Sequence, residues 1–426
     1  MSKIEVEGMH RLQGEVTVQG SKNAVLPILS ACVLVEGEVI LHDCPRIQDV
    51  FSMLEVLEHA GARYFWEGTT LILNTSEMYP AELIENAGTM RSSVMLLGSF
   101  LARFGKVTLG YPGGCCIGKR PIDLHEQTLE ALGTVFCEKE EFLEAWADHL
   151  EGCEIFLPYP SVGVTENLLL AASAASGMTC IFGAAREPEI VELCRFMCAA
   201  GIRIHGIGTD HVCIYPGKIR KHVEYTICKD RIVAGTYLLA VMATGGEAII
   251  KDAPLEHMRS TIQLVGRSGA RLRRNGNDIQ VIMNQKPKAS SSLRTAPYPG
   301  FPTDLQSPLL AAMLKAFGRS VIEESMFENR FLIVEELRKM GANIHISGQT
   351  AHISPVKQLQ GCEMEVRELR GGAALVIAAL NAEGSSILHH TEIISRGYEN
   401  IVRDFQYLNA KIRNVESEGS EGSRKS

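Results

Sequence analysis

Two adjacent thiols, Cys115 and Cys116, lie in the segment Gly110-Tyr111-Pro112-Gly113-Gly114-Cys115-Cys116-Ile117-Gly118-Lys119-Arg120-Pro121-Ile122-Asp123-Leu124-His125. A strand-like run, Lys106 to Leu109, precedes it and a helix-like run, Glu126 to Leu132, follows. Four glycines and two prolines exclude a helix interior or a central strand here. The segment therefore reads as a loop between regular elements, and such loops carry function more often than packing. Lys119 and Arg120 set cationic charge close to the thiols. A nearby cation favours thiolate over thiol, which suits a cysteine to act as an acid or a nucleophile. The plainer alternative is a surface excursion with incidental cysteines.

Other residues capable of chemistry recur at the starts of helical patterns. Lys22 and Asn23 precede the first, Arg91 the second, Ser161-Val162-Gly163 the third, Asp304 the fifth and Arg370 the sixth. Arg330 and Arg396 stand before later ones. Backbone N–H groups at a helix N-terminus point at an anion. If the helices run parallel, these ends meet in a cleft lined by Lys22, Arg91, Lys119, Arg120, Arg330, Arg370 and Arg396. Each basic residue alone reads equally well as a cap or a solvated surface group. The repetition points to a substrate with several phosphates or carboxylates.

The elements that must position these residues form six copies of one unit. In each, an Ala/Leu-rich helix ends near a glycine and a β-branched strand follows. The glycines are 37, 105, 177, 246, 318 and 384, spaced 68, 72, 69, 72 and 66 residues apart. Glycine just past a helix is the usual left-handed stop, so the spacing predicts six such stops. A second amphipathic helix and a strand-turn-strand complete most units, at 50–60, 190–204, 258–272, 331–344 and 401–412. A unit of about 70 residues cannot bury two helices alone, so units must pack together. Three units per domain are expected, with sheets facing outward around a helical core. The break is placed near Tyr225–Asp230: residues 21–228 form one domain, carrying the cysteine loop. Residues 1–20 and 229–416 form the other, with the strand Ile4–Val6 pairing into the C-terminal half. Residues 417–426 read as a disordered tail.

A chain of 426 residues suits two such domains. Hydrophobic residues are 46% and charged residues 22%, a globular balance. The net charge of -8 argues against nonspecific nucleic-acid binding. No apolar run reaches membrane-spanning length, and the N-terminus lacks a signal-peptide pattern. Among the 12 cysteines, Cys32, Cys180, Cys194, Cys198 and Cys213 fall in apolar patterns and are expected as reduced core residues. There is no C-x-x-C pair, and Cys194 and Cys198 have no histidine in their pattern, so no metal site is expected.

Several segments together carry a family resemblance. They are Gly20-Ser21-Lys22-Asn23-Ala24, Met90-Arg91, Pro112-Gly113-Gly114-Cys115, Arg120-Pro121-Ile122-Asp123-Leu124-His125, Ser161-Val162-Gly163 and Ala185-Arg186-Glu187-Pro188-Glu189. Further matches are Asp230-Arg231, Gly300-Phe301-Pro302-Thr303-Asp304, Phe327-Glu328-Asn329-Arg330 and Arg396-Gly397-Tyr398-Glu399. The chain resembles the enolpyruvyl transferases, in the branch whose acceptor is UDP-N-acetylglucosamine. The resemblance implies an α/β fold of two inside-out α/β barrel domains, each of three helix-strand-helix-strand-strand repeats, closing over a cleft. It implies transfer of the enolpyruvyl group of phosphoenolpyruvate to the 3-hydroxyl of UDP-N-acetylglucosamine with release of phosphate, the first committed step of peptidoglycan synthesis. It implies a cytoplasmic enzyme with these two small-molecule substrates and no cofactor, metal, nucleic acid or membrane, as a monomer or weak homo-oligomer.

The resemblance also assigns roles. Cys115 would be the general acid and the fosfomycin target, and Asp304 the general base. Lys22, Arg120 and Arg396 would hold phosphate, and Arg330 and Arg370 the carboxylate. Asn23 and Arg91 would position substrate. Arg120, Pro121, Ile122, Asp123, Leu124, Ser161, Val162, Gly163 and Met326 would contact the nucleotide sugar. The chain departs from the family pattern at Glu368, usually Asp, where an added methylene could displace Arg370 by about 1 Å, a shift that can cost ~10²-fold in rate. Gln48, Val233, Ser395 and Cys116 also depart. The alternatives are a paralogue with another acceptor, a catalytically silent homologue, and a thiol hydrolase using Cys115 and His125.

Overall fold

The computed structural model describes residues 2–83, 91–111 and 121–415. Cys115, Cys116, Lys119, Arg120 and the 417–426 tail lie outside the described residues.

Twelve α-helices are present among the described residues, two per repeat. They are α1 (Lys22–Cys32), α2 (Gln48–His59), α3 (Leu96–Phe104), α4 (Asp123–Glu130), α5 (Val162–Ala172), α6 (Pro188–Ala199), α7 (Arg231–Thr244), α8 (Arg259–Arg267), α9 (Gln306–Ala312), α10 (Val334–Lys339), α11 (Leu369–Leu380) and α12 (Ile401–Tyr407). The odd-numbered helices are mostly apolar, with few charged residues, and are largely buried on all sides. Every residue of α11 is buried, as is all of α9 and nearly all of α7. A helix without a polar face must lie inside the protein. α7, α9 and α11 pack on one another, as do α3 and α5 with α1 beside them.

The strands form six separate four-stranded sheets. Each follows one rule: the first two strands are parallel and the last two pairings are antiparallel. Buried and exposed residues alternate along them, so one face covers the helices and the other meets solvent. The fold is the expected one, helices inside and sheets outside, with open sheets rather than a continuous hydrogen-bonded barrel.

Chain exchange closes the pattern. The N-terminal strand Lys3–Glu7 pairs with Ser385–His389 and Lys411–Val415. Leu12–Thr17 pairs in parallel with Gly246–Lys251, and His222–Thr226 with Glu38–His42. Two separate hydrophobic cores result. One gathers buried residues from Val25 to Ile227, the other from Ile4 to Val18 and from Ile232 to Ile412. The chain crosses between them twice, side by side. The Ser21 amide donates to the Cys228 carbonyl at 2.7 Å and the Asp230 amide to the Gln19 carbonyl at 3.0 Å.

Two expectations need correction. Gly105 is a left-handed cap directly after α3. α1, α5 and α11 instead run on through i→i+3 hydrogen bonds, such as Val33 to Ser30 and Ala174 to Ala171, so Gly37, Gly177 and Gly384 lie beyond that tightened turn. Gly37 lacks a positive φ, and it is needed because a Cβ there would meet the Lys221 carbonyl oxygen at 1.9 Å. The second correction concerns cysteines. Cys180 and Cys213 are joined as a disulfide. Residues 179–182 and 211–215 are antiparallel neighbours in which Cys180 stands directly opposite Cys213. The apolar patterns around each cysteine could not show that register. Cys32 and Cys194 are free and buried, as expected, and burial pushes the Cys32 thiol well above its ordinary range and the Cys194 thiol up to about 12. Among the described residues no helix is long and apolar enough to cross a membrane.

Candidate active site

The central helices aim their N-terminal ends at one place. A cleft of about 490 Å³ is lined by Lys22 and Asn23 of α1, Ser161–Val164 around the start of α5, and Arg231 of α7. Leu369 and Arg370 of α11 join them, as do two 3₁₀ turns, Arg91–Met95 before α3 and Thr303–Leu305 before α9. All six repeats thus contribute a helix start, and both hydrophobic cores supply walls. Six positive dipole ends on one cavity favour an anionic occupant.

Asp230 helps to fix two of these ends together. Its Oδ1 accepts from the amides of Ile232 and Val233 at 2.8 and 3.0 Å, capping α7. Its Oδ2 accepts from the Lys22 amide at 3.0 Å, at the start of α1. One carboxylate therefore spans the crossing between the two cores.

The charged side chains fall into two groups. In the first, Asp49 of α2 receives Lys22 Nζ at 2.6 Å and Arg396 Nε at 2.8 Å. Burial works to raise the Asp49 pKa, but Lys22 and Arg396 outweigh it and hold the carboxyl below its ordinary value. Burial lowers the Lys22 pKa, with Asp49 opposing and Arg370 and Arg396 adding to the shift. In the second group, Asp304 accepts from Arg330 Nη2 at 2.6 Å, Arg370 Nη2 at 3.2 Å and Asn23 Nδ2 at 3.4 Å. Burial again pushes up, but Arg370, Arg330 and Lys22 hold the Asp304 carboxyl well below the usual carboxylate range. Both guanidiniums are almost fully buried, and among the described residues Arg330 Nε and Arg370 Nη1 have no hydrogen-bond partner. Buried donors of this kind are costly to leave unmatched, and a bound carboxylate or phosphate would satisfy them.

Glu368 closes the second group. Its side chain caps α11 by accepting from the Arg370 amide at 2.8 Å and lies 3.8 Å from Arg330 Nη1. Burial raises its pKa. With glutamate at this position Arg330 and Arg370 both reach Asp304. Of the other departures, Gln48 is exposed beside Asp49, Val233 is buried in α7, and the Ser395 hydroxyl donates to the Glu392 carbonyl.

The structure brings Lys22, Asn23, Arg91, Pro121, Leu124, Ser161, Val162, Gly163, Asp304, Met326, Arg330, Arg370 and Arg396 to the cleft. Arg91 also donates to the Pro121 carbonyl at 3.2 Å, next to the cysteine loop. Ile122 instead packs against the first core and Asp123 is exposed at the start of α4, so neither side chain lines the cleft. Arg330 lies four residues before α10, and Arg396 ends a 3₁₀ turn rather than starting a helix. His125, the alternative partner for Cys115, is buried, with Nδ1 2.8 Å from Asn167 Nδ2. Sequence reading missed Asp49, whose only signal is an acidic residue in the first turn of α2. It also missed the buried pair in which Arg231 donates to Glu189 through Nε at 2.9 Å and Nη2 at 3.2 Å.

Comparison with known proteins bears on this geometry. The family described as EPSP synthase (3-phosphoshikimate 1-carboxyvinyltransferase) matches residues 6–405. A relative from Caldanaerobacter subterraneus, UDP-N-acetylglucosamine 1-carboxyvinyltransferase 2, is 43% identical over 97% of this chain and 99% of its own length. The UDP-N-acetylglucosamine 1-carboxyvinyltransferase of Thermotoga maritima is 41% identical over 98% of this chain and 100% of its own. Among solved structures, the enolpyruvyl transferase NikO from Streptomyces tendae has a TM-score of 0.88 at 21% identity, covering 97% of this chain and 99% of that one. An EPSP synthase from Acinetobacter baumannii has a TM-score of 0.73 at 17% identity, covering 98% and 100%. These two show the shared fold.

Proposed function

The chain belongs to the EPSP synthase family of carboxyvinyltransferases, and from that premise we propose that it transfers the enolpyruvyl group of phosphoenolpyruvate to the 3-hydroxyl of UDP-N-acetylglucosamine. Near-full-length relatives at 41% to 43% identity carry that acceptor in their names. The observation that carries the reading is the pair of cation groups in one cleft, each held on a single carboxylate.

Phosphoenolpyruvate brings a phosphate and a carboxylate. Lys22, Arg396 and Arg120 take the phosphate; Arg330 and Arg370 take the carboxylate. These cations then exchange the carboxylates of Asp49 and Asp304 for substrate oxygens. Asp304, relieved of its guanidiniums, rises towards an ordinary carboxylate pKa and becomes able to accept a proton. The sugar 3-hydroxyl oxygen bonds to the phosphate-bearing carbon and gives its proton to Asp304, while Cys115 protonates the methylene carbon. The resulting tetrahedral adduct returns a methyl proton to the Cys115 thiolate and expels phosphate, which restores the double bond as an enol ether and Cys115 as the thiol. The cationic cleft stabilises the charge carried by the departing phosphate. Asn23 and Arg91 orient the substrates, and the start of α5 with Pro121, Leu124 and Met326 receives the nucleotide sugar. Residues 21–228 and the remainder act as two bodies that close on the cleft and exclude water. In this reading the enzyme is cytoplasmic, supplies peptidoglycan synthesis, needs no metal, and is alkylated by fosfomycin at Cys115.

Replacement of each thiol tests the assignment of the acid. Cys115→Ala is expected to abolish turnover near neutral pH, whereas Cys116→Ala keeps most of it. Equal losses in both would remove Cys115 from its role.

A further inference from the structure

Away from the cleft, one outer sheet gathers sulfur and imidazole in a way the reaction does not use. The sheet is built from Glu154–Phe156, Thr179–Phe182, His211–Tyr215 and Arg203–His205. Cys180 and Cys213 face each other across two of its strands with Cα atoms 4.2 Å apart. His211, two residues before Cys213, shares its face, and its Nε2 lies 3.4 Å from Cys213 Sγ. The ring is held there: His211 stacks on Phe182 at 4.2 Å and 14°, and Phe182 stacks on Phe156 at 4.6 Å and 6°. One ligand atom from each of Cys180, His211 and Cys213 falls within 4.8 Å of the others.

We propose that Cys180, Cys213 and His211, when the cysteines are reduced, bind one divalent metal ion of the zinc class. Two thiolates and an imidazole are a preferred donor set for such an ion. With metal–sulfur bonds of about 2.3 Å and metal–nitrogen bonds of about 2.0 Å, a tetrahedral site needs a sulfur–nitrogen edge of about 3.5 Å. The observed 3.4 Å between Cys213 and His211 fits that edge. The stacked rings fix the imidazole before metal arrives, which lowers the ordering cost of binding. His205, opposite Cys213, is turned to a ring contact with Tyr215 at 5.1 Å, so the fourth position is left to water. Cys180 is buried, Cys213 half-buried and His211 exposed, so the imidazole side of the group is open to solvent.

The site alternates with the disulfide. A small-molecule dithiol reduces the bond: two electrons pass to the Cys180–Cys213 sulfurs, the dithiol closes to its own disulfide, and its two protons end on the cysteine thiols. The ion then displaces those two protons as it forms two metal–sulfur bonds, and His211 adds the third bond from Nε2. The same two sulfurs cannot hold a disulfide and the metal together, so a small-molecule disulfide that takes the two electrons, picks up two protons and becomes the dithiol re-forms the Cys180–Cys213 bond and releases the ion.

The test uses the full-length chain, reduced under anaerobic conditions and freed of reductant, titrated with Co²⁺. Thiolate-to-cobalt charge transfer is followed in the near ultraviolet, and Zn²⁺ is then added as competitor. The expected result is one equivalent of Co²⁺ bound, displaced by Zn²⁺, and absent from the oxidised chain. A Cys180→Ser/Cys213→Ser double variant sets the baseline for all other thiols and should lose that equivalent. His211→Ala, at an exposed position, should bind at least about 10-fold more weakly. Far-ultraviolet circular dichroism checks that both variants fold. Equal binding by the reduced wild type and the double variant would overturn the site. Unchanged affinity in His211→Ala would overturn the three-ligand assignment.

Discussion

At the scale of single residues, the cleft is a set of charges each waiting for a different partner. Asp49 and Asp304 occupy cations that the substrate is proposed to claim, and this makes Asp304 a counterion before it is a base. Because its folded pKa is depressed, its charge contributes stability above the unfolded value of about 3.9 and loses it as pH falls towards the folded value. Wild type should therefore lose melting temperature below about pH 4 more steeply than Asp304→Asn, so the gap between them narrows in acid. A constant gap from pH 7 to pH 3 in thermal unfolding would contradict the pairing. Glu368 is a different case. The sequence raises a shift of Arg370 or a partner through its extra methylene; in the structure Glu368 caps α11, and both arginines reach Asp304. Glu368→Asp should accordingly change kcat/KM by less than about 10-fold, well short of the ~10²-fold that an ångström of misplacement costs. Asp49 was illegible in the sequence because its role depends on Arg396, which lies 347 residues away.

At the scale of elements, the repeat grammar was legible and the joints were not. Helix order, strand order and the convergence of helix starts follow from periodicity, because each apolar helix has nowhere to go but inward. The helix ends were misjudged at Gly37, Gly177 and Gly384, where 3₁₀ tails extend α1, α5 and α11. The Cys180–Cys213 pair was missed because cross-strand register joins residues 33 apart in sequence. Close approach between elements is equally invisible until the fold is known. Gly235 in α7 has Leu305 against it: a Cβ there would meet Leu305 Cδ1 at 2.4 Å. Leu305 follows Asp304 in the 3₁₀ turn, so α7 sets the position of the proposed base. Gly235→Ala adds helix propensity of up to about 1 kcal/mol in α7. It should nonetheless lower kcat by about 10-fold or more, since a misplaced base is felt directly in the rate. Steady-state kinetics beside thermal unfolding would check this, and an unchanged kcat would show that Leu305 moves without Asp304.

At the scale of the whole molecule, two cores meet at a cleft lined by paired cations and carboxylates in a chain of net charge -8. The sequence reading places a break near residues 225–230, where the chain leaves one repeat set for the other, and assigns residues 1–20 to the second set. What the sequence could not supply is that the crossing at residues 19–21 lies directly beside the one at residues 228–230. Among the described residues, six basic side chains line the cleft beside six acidic ones, and the proposed capture of an anionic substrate by those cations has a measurable consequence. Added salt screens charges over about 10 Å at 0.1 M and about 3 Å at 1 M. The KM for phosphoenolpyruvate should rise with KCl while kcat changes little, and a salt-independent KM would show that the cleft does not attract its substrate by charge. The most direct test of the account is the rate of phosphate release from phosphoenolpyruvate, measured with and without UDP-N-acetylglucosamine. Release that requires the nucleotide sugar and stops after fosfomycin treatment is the predicted result. No release although both ligands bind, or release that ignores the sugar, would contradict it.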